Sequence, residues 1–149
     1  MNLVHKIETW GNKHHPVVLD PIRIALGVFL LFKGISFMNN TYTIHSILVN
    51  QNAMGLSDST LMFFVYLVAF FHLVGGIMIA LGVLTRVAAL VQIPIMVTAV
   101  IMSNSVQLPV NTETSIAIIV LVLLVVFSVI GSGKLSIEKV IENQTTIFS

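Results

Sequence analysis

Residues 60–103 read TLMFFVYLVAFFHLVGGIMIALGVLTRVAALVQIPIMVTAVIMS, and Arg86 is the one charged side chain among them. A transmembrane helix takes about 20 mostly apolar residues, so this stretch holds two of them. Only Leu84-Thr85 intervene between spans at about 60–83 and 86–103, which predicts a tight antiparallel hairpin with Thr85 as the cap. Ser57-Asp58-Ser59 supply further capping residues in front of the first of the two.

The composition outside this hairpin is similar. The 149 residues are 56% hydrophobic and 9% charged, with seven Lys+Arg against six Asp+Glu. A soluble domain carries roughly a quarter charged residues, so a water-facing surface cannot be built from this chain. The apolar content excludes intrinsic disorder. Scattered, nearly balanced charges do not form a nucleic-acid footprint. Cysteine is absent, which removes disulfides, zinc–thiolate sites and thiol redox relays. Length and composition therefore give one integral membrane domain over 1–149.

Two more spans complete it. One runs over about 21–38, with Asp20 placed to cap it, Pro21 at the first helical position and Asn39-Asn40 at its end. The other covers about 112–131 and stops at Gly131-Ser132-Gly133. Lys6, Lys13 and Arg23 lie before or at the start of the first span, Arg86 lies in the hairpin turn, and Lys134 and Lys139 follow the last span. The opposite loops, 39–59 and 104–111, contain no Lys or Arg. The positive-inside rule then gives an all-α, four-helix antiparallel bundle with both termini cytoplasmic. The first span lacks a small-x-small cleavage site and reads as a retained helix rather than a signal peptide. Stripes of Leu3, Ile7 and Trp10, and of Ile44, Ile47 and Leu48, place interfacial segments at about 1–11 and 41–52; the second lies on the membrane or caps the bundle.

Inside lipid, small and polar residues mark packing faces. Arg23, Gly27, Leu30 and Gly34 form one stripe, and His72, Gly75, Gly76, Ile79 and Gly82 form another. Close helix packing accounts for these glycines. Lys33 stands out as the only charged residue more than three positions inside a span, about 9 Å below the outer end. Snorkelling explains such a lysine in many helices, but side chains lean toward their own helix N-terminus, and here that direction is the membrane centre. His72 lies about 18 Å from the outer end of its span, near the midplane, and leans outward. If the two spans are neighbours, Lys33 and His72 form either a structural contact or a site for a polar ligand head.

Pro94 kinks the third span, and Gln92 bonds a group freed there or reaches across the bundle. Tyr66 lies near the depth of Lys33 but turns away from His72. His14-His15 makes no metal site, and His72 as the single intramembrane histidine gives haem no second axial ligand. No nucleotide loop, serine-nucleophile signature or intramembrane carboxylate pair is present, so the chain is at most one subunit of an enzyme.

Three runs carry a family resemblance. Residues 23–34, RIALGVFLLFKG, resemble the first span of the DoxX family. The run from His72 through Gly75-Gly76, Gly82, Thr85-Arg86 and Ala89 is similar to that family's Gly-Gly…Gly-x-x-Thr-Arg-x-Ala hairpin, and Gly131-Ser-Gly-Lys-Leu-Ser136 to its C-terminal close. With Gln92-Ile-Pro94, the resemblance covers essentially 20–138. It implies a small four-helix protein of the bacterial cytoplasmic (inner) membrane. Some relatives are linked to quinone-coupled thiosulfate oxidation and others to oxidative-stress assemblies. Many members carry a Glu where this chain has His72 and a His where it has Lys33, so the polar pair here differs.

The expected site is therefore Lys33 and His72 with Gly34, Gly75 and Gly76 around them, while Arg23, Thr85, Arg86, Gln92 and Pro94 serve structure and topology. No metal and no intrinsic cofactor is expected; quinone is the cofactor-class molecule that the pair would suit. The expected partners are the lipid bilayer, a membrane redox protein and a second copy of the chain, with nucleic acid excluded. Two other functions remain open: a non-enzymatic scaffold or assembly factor for another membrane protein, and a binder or transporter of a lipid-like or anionic solute.

Overall fold

The computed structural model describes residues 19–50, 55–105, 112–132 and 136–137. The expected stripe at 1–11, the His14-His15 pair and the basic residues Lys6, Lys13, Lys134 and Lys139 lie outside them. The described residues form helices α1 (Leu19–Asn39), α2 (Thr41–Asn50), α3 (Asp58–Leu81), α4 (Thr85–Ser105) and α5 (Thr112–Ile130), and no strand occurs among them. Two helices, α1 and α3, are long and apolar enough to cross a membrane, and shorter apolar stretches occupy Thr85–Ile101 and Thr114–Ile130.

The helix boundaries lie within two residues of the expected spans, because hydropathy and glycine set them. Gly82 ends α3 in the left-handed region (φ 72°), where its N–H and that of Val83 bond back to Ile79 and Met78. Gly131 ends α5 at φ 89°. The polar caps differ from expectation. Asp20 lies within the first turn of α1, which already begins at Leu19. Ser57 is the N-cap of α3 but makes no side-chain capping bond; its hydroxyl pairs with Thr60 Oγ1 at 2.7 Å. Thr85 begins α4, and its Oγ1 is buried without a hydrogen-bond partner, so it does not cap.

Asn40 alone separates α1 from α2, and Thr41 Oγ1 donates to the carbonyls of Phe37 and Met38 at 2.9 Å. Thus residues 41–50 continue past the end of α1 as a helix that packs against α3. The closest pairs are α1 with α3 and α4 with α5; the α3–α4 hairpin joins them, and α1 also touches α5. Leu26, Leu30, Ile79, Ala88, Ala89, Met96, Val120, Leu124 and Phe127 form the core. The burial pattern is inverted relative to a soluble protein: Asp20, Arg23, His72 and Gln92 are buried, while Phe32, Phe63, Leu90 and Ile119 are more than half exposed. Large apolar side chains facing outward around polar ones inside fit a lipid solvent.

Candidate functional site

The α1–α3 contact positions the site, and glycine makes it close. A Cβ on Gly27 would lie 2.7 Å from Ala80 Cα and from the Gly76 carbonyl, and one on Gly76 would lie 2.8 Å from the Gly27 carbonyl. The two backbones therefore touch, as small-residue faces allow in lipid. One turn or more toward α2, a Cβ on Gly34 would lie 3.1 Å from His72 Cβ. The absence of a side chain at Gly34 is what lets His72 sit against α1.

His72 is 5% exposed. Its Nδ1 lies 2.9 Å from the Val68 carbonyl, which only accepts, so Nδ1 donates and Nε2 of the neutral ring holds the lone pair. The ring stacks on Phe37, 5.8 Å between centroids and 11° between planes. Lys33 is half-buried, with Nζ 5.9 Å from the Phe29 ring centroid, one turn back toward the helix N-terminus. The Lys33 and His72 Cα atoms are nearly level, and the side chains lean past each other, Lys33 toward Phe29 and His72 toward Phe37.

This register differs from that expected. Because His72 is level with Gly34, it lies about 7.5 Å along the axis from the end of α1 at Asn39, although it is about 21 Å from the start of its own helix at Asp58. The start of α3 extends beyond the end of α1 and packs against α2, where His45 Nε2 meets the Asp58 carbonyl oxygen and carboxylate, both at 3.1 Å.

A third helix meets α3 beside Gly75. Gln92 of α4 is wholly buried and donates from Nε2 to the Phe71 carbonyl at 2.7 Å. It does so across Gly75, whose Cβ would lie 2.6 Å from that nitrogen. Gln92 Oε1 has no hydrogen-bond partner.

A second polar cluster sits at the end remote from α2. Asp20 and Arg23 are both wholly buried and pair at 3.8 Å. Arg23 Nη1 and Ser136 Cβ press against Gly82, and Arg86 Nη2 donates to the Ile130 carbonyl at 3.3 Å beside Gly131. These groups lock the start of α1, the hairpin turn and the end of α5 together.

A family model described as DoxX matches residues 18–105, more than half of the chain. The chain belongs to the DoxX family. No curated protein and no solved structure matches it. The DoxX match spans α1 through α4 and contains Lys33, His72 and Gln92; the glycines that set their spacing, Gly27, Gly34, Gly75 and Gly76, lie within it as well.

Among the residues expected at the site in this DoxX chain, Gly34 and His72 are in direct contact and Lys33 adjoins them. Gly75 faces α4, and Gly76 belongs to the α1–α3 crossing further along. Tyr66 is exposed and apart. Sequence reasoning missed Phe29 and Phe37, which flank Lys33 at four-residue spacing, a signal present in the sequence. It placed Arg23 on a packing stripe and at a topology position but missed its buried ion pair, whose signal was the i,i+3 spacing from Asp20.

Proposed function

We propose that this DoxX protein is the membrane subunit of a quinone-linked redox assembly, with Lys33 and His72 holding the quinone head between α1 and α3. The supporting observation is a lysine next to the Gly34–His72 contact and an imidazole whose Nε2 is left as an acceptor, on helix faces otherwise made of glycine and apolar side chains. An intramembrane ionisable group marks function by default, and Phe37 and Phe29 provide aromatic faces beside the pair. The protein crosses the bacterial cytoplasmic membrane four times, as a four-helix antiparallel bundle with N and C termini inside. Electron chemistry comes from a partner protein and the bound quinone, since the chain has no cysteine.

Mild-detergent purification, lipid extraction and mass spectrometry test this reading. Quinone should copurify with wild type and drop several-fold in Lys33→Ala and His72→Ala. Quinone absent from wild type, or unchanged in both variants, refutes it. Reporter fusions after residues 40, 84, 108 and 149 check the topology, with the second and fourth expected on the cytoplasmic side.

A further inference from the structure

We infer that Ser36, Asn39, Asn40 and Thr43 form the face through which two copies of this chain pack side by side in the bilayer. The inference is independent of the quinone reading and rests only on the bundle lying in lipid.

The four residues recur at three- and four-residue spacing. The backbone bonds Asn40 N–H to the Ser36 carbonyl and Ile44 N–H to the Asn40 carbonyl carry the helical rotation from α1 into α2, so the four lie on one stripe. All four side chains are exposed, opposite the side on which Gly34 and Phe37 meet His72.

Helix contacts fix the level of this stripe. Gly34 is level with His72, so Asn40, six residues on, lies about 9 Å nearer the start of α3, beside the level of Tyr66. Gln92 lies beside Gly75, which brings Ile101 of α4 to the same level, and Arg86 beside Ile130 brings Ile116 of α5 there. At or beyond that level the other helices expose Phe63, Phe64, Tyr66, Ile101 and Ile116. Three sides of the bundle therefore present aromatic and aliphatic surface to lipid at the depth where the fourth presents amides and hydroxyls.

An amide in hydrocarbon needs hydrogen-bond partners. Asn40 Nδ2 donates to the Ser36 carbonyl at 2.9 Å, which leaves its second N–H and its Oδ1; the Asn39 side chain has no partner among the described residues. In lipid, such groups bond across helices. The stripe carries no charge, so it offers nothing to a phosphate or a carboxylate. It matches a surface of neutral donors and acceptors at its own depth. A second copy supplies that surface without further conditions: inserted with the same orientation, it holds its stripe at the same level. Each Asn both donates and accepts, so the face is self-complementary about a two-fold axis along the membrane normal.

The chain has no cysteine, so single cysteines report on the contact. In native membranes oxidised with copper phenanthroline, Ser36→Cys and Thr43→Cys should give disulfide-linked dimers of the full-length chain. Phe63→Cys and Ile116→Cys, near the same depth on other faces, should not. Energy transfer between donor- and acceptor-labelled copies, diluted in liposomes, measures the association. Asn39→Leu/Asn40→Leu should weaken it roughly tenfold, as the loss of two interhelical hydrogen bonds gives. A wild-type monomer at every dilution overturns the inference, as do dimers formed equally well at Phe63→Cys or Ile116→Cys. A folded double variant with wild-type association overturns the role of the asparagines. Cross-links from the stripe to a different protein, with no dimer of the chain, assign the face to that protein and overturn the self-contact. Helical circular dichroism checks the double variant; if it does not fold, the cysteine pattern decides.

Discussion

Gly27→Ala tests the helix contact on which the site depends. The added Cβ would meet the Ala80 backbone nitrogen and Cα and the Gly76 carbonyl, with the last two at 2.7 Å. Carbon–carbon contacts are optimal at about 3.5–4.0 Å, so α1 and α3 must separate by about 1 Å. All three obstructing atoms are backbone, and no rotamer change relieves them. Overpacking of this kind costs about 1–3 kcal/mol, and the rigid surroundings place it near the top of that range. Alanine returns up to about 1 kcal/mol of helix propensity, which leaves a net loss of about 2 kcal/mol. The assay is reversible unfolding in mixed micelles titrated with sodium dodecyl sulfate, followed by circular dichroism. The double variant Gly27→Ala/Ala80→Gly should recover almost nothing, because removal of the Ala80 methyl leaves its N and Cα in place. A Gly27→Ala protein as stable as wild type, or full rescue by Ala80→Gly, would show that the backbones are not in contact.

Asp20→Ala removes the carboxylate 3.8 Å from the buried Arg23 guanidinium and should cost about 3 kcal/mol in the same assay, whereas Asp20→Ala/Arg23→Met should cost distinctly less. Gly131→Ala combines a left-handed φ of 89° with a contact at 2.7 Å to Arg86 Nε, and should lose about 1–3 kcal/mol and shorten α5 at its end, seen as faster amide exchange there. His45→Ala removes a contact to Asp58 whose carboxylate is largely exposed, so the midpoint should move by less than about 1 kcal/mol; a larger loss would make α2 a structural clamp.

Much of the helix layout was legible because each boundary has a local cause. Lipid-length apolar runs mark the elements, and Gly82 and Gly131 stop two of them through backbone conformations that side chains disfavour. The facing of Gly34 and His72 was legible from small-residue spacing. Their axial register was not, because it depends on a path rather than a pattern. With only Asn40 between α1 and α2, the chain continues beyond the end of α1 before it turns, and α3 starts well beyond that end. The Asp20–Arg23 pair was hidden for another reason. Charges at a span end are ordinarily assigned to water, and burial of both depends on Gly82 and Ser136, distant in sequence. For Gln92 the sequence left open a bond to a group freed by Pro94 or a reach across the bundle; its bond to Phe71 of α3 depends on the gap at Gly75, which the sequence alone does not reveal.

The glycines also determine how the two polar clusters are related. Gly34 beside His72, Gly27 beside Gly76 and Ala80, and Gly82 beside Arg23 follow one another along a single α1–α3 contact. Neither cluster can shift along that contact without changing the register of the whole pair. Between α1 and α3 the closest contacts are backbone: Nδ1 of His72 bonds its own helix, whereas Gln92 ties α4 to α3 and Arg86 ties α4 to α5. Backbone proximity sets the geometry, and the polar side chains occupy what it leaves. Substitutions at Lys33 or His72 should therefore alter ligand content with little effect on the fold. Those at Gly27 or Gly76 should alter both. The ratio of lost ligand to lost stability across the four sites separates a binding pair from a structural one.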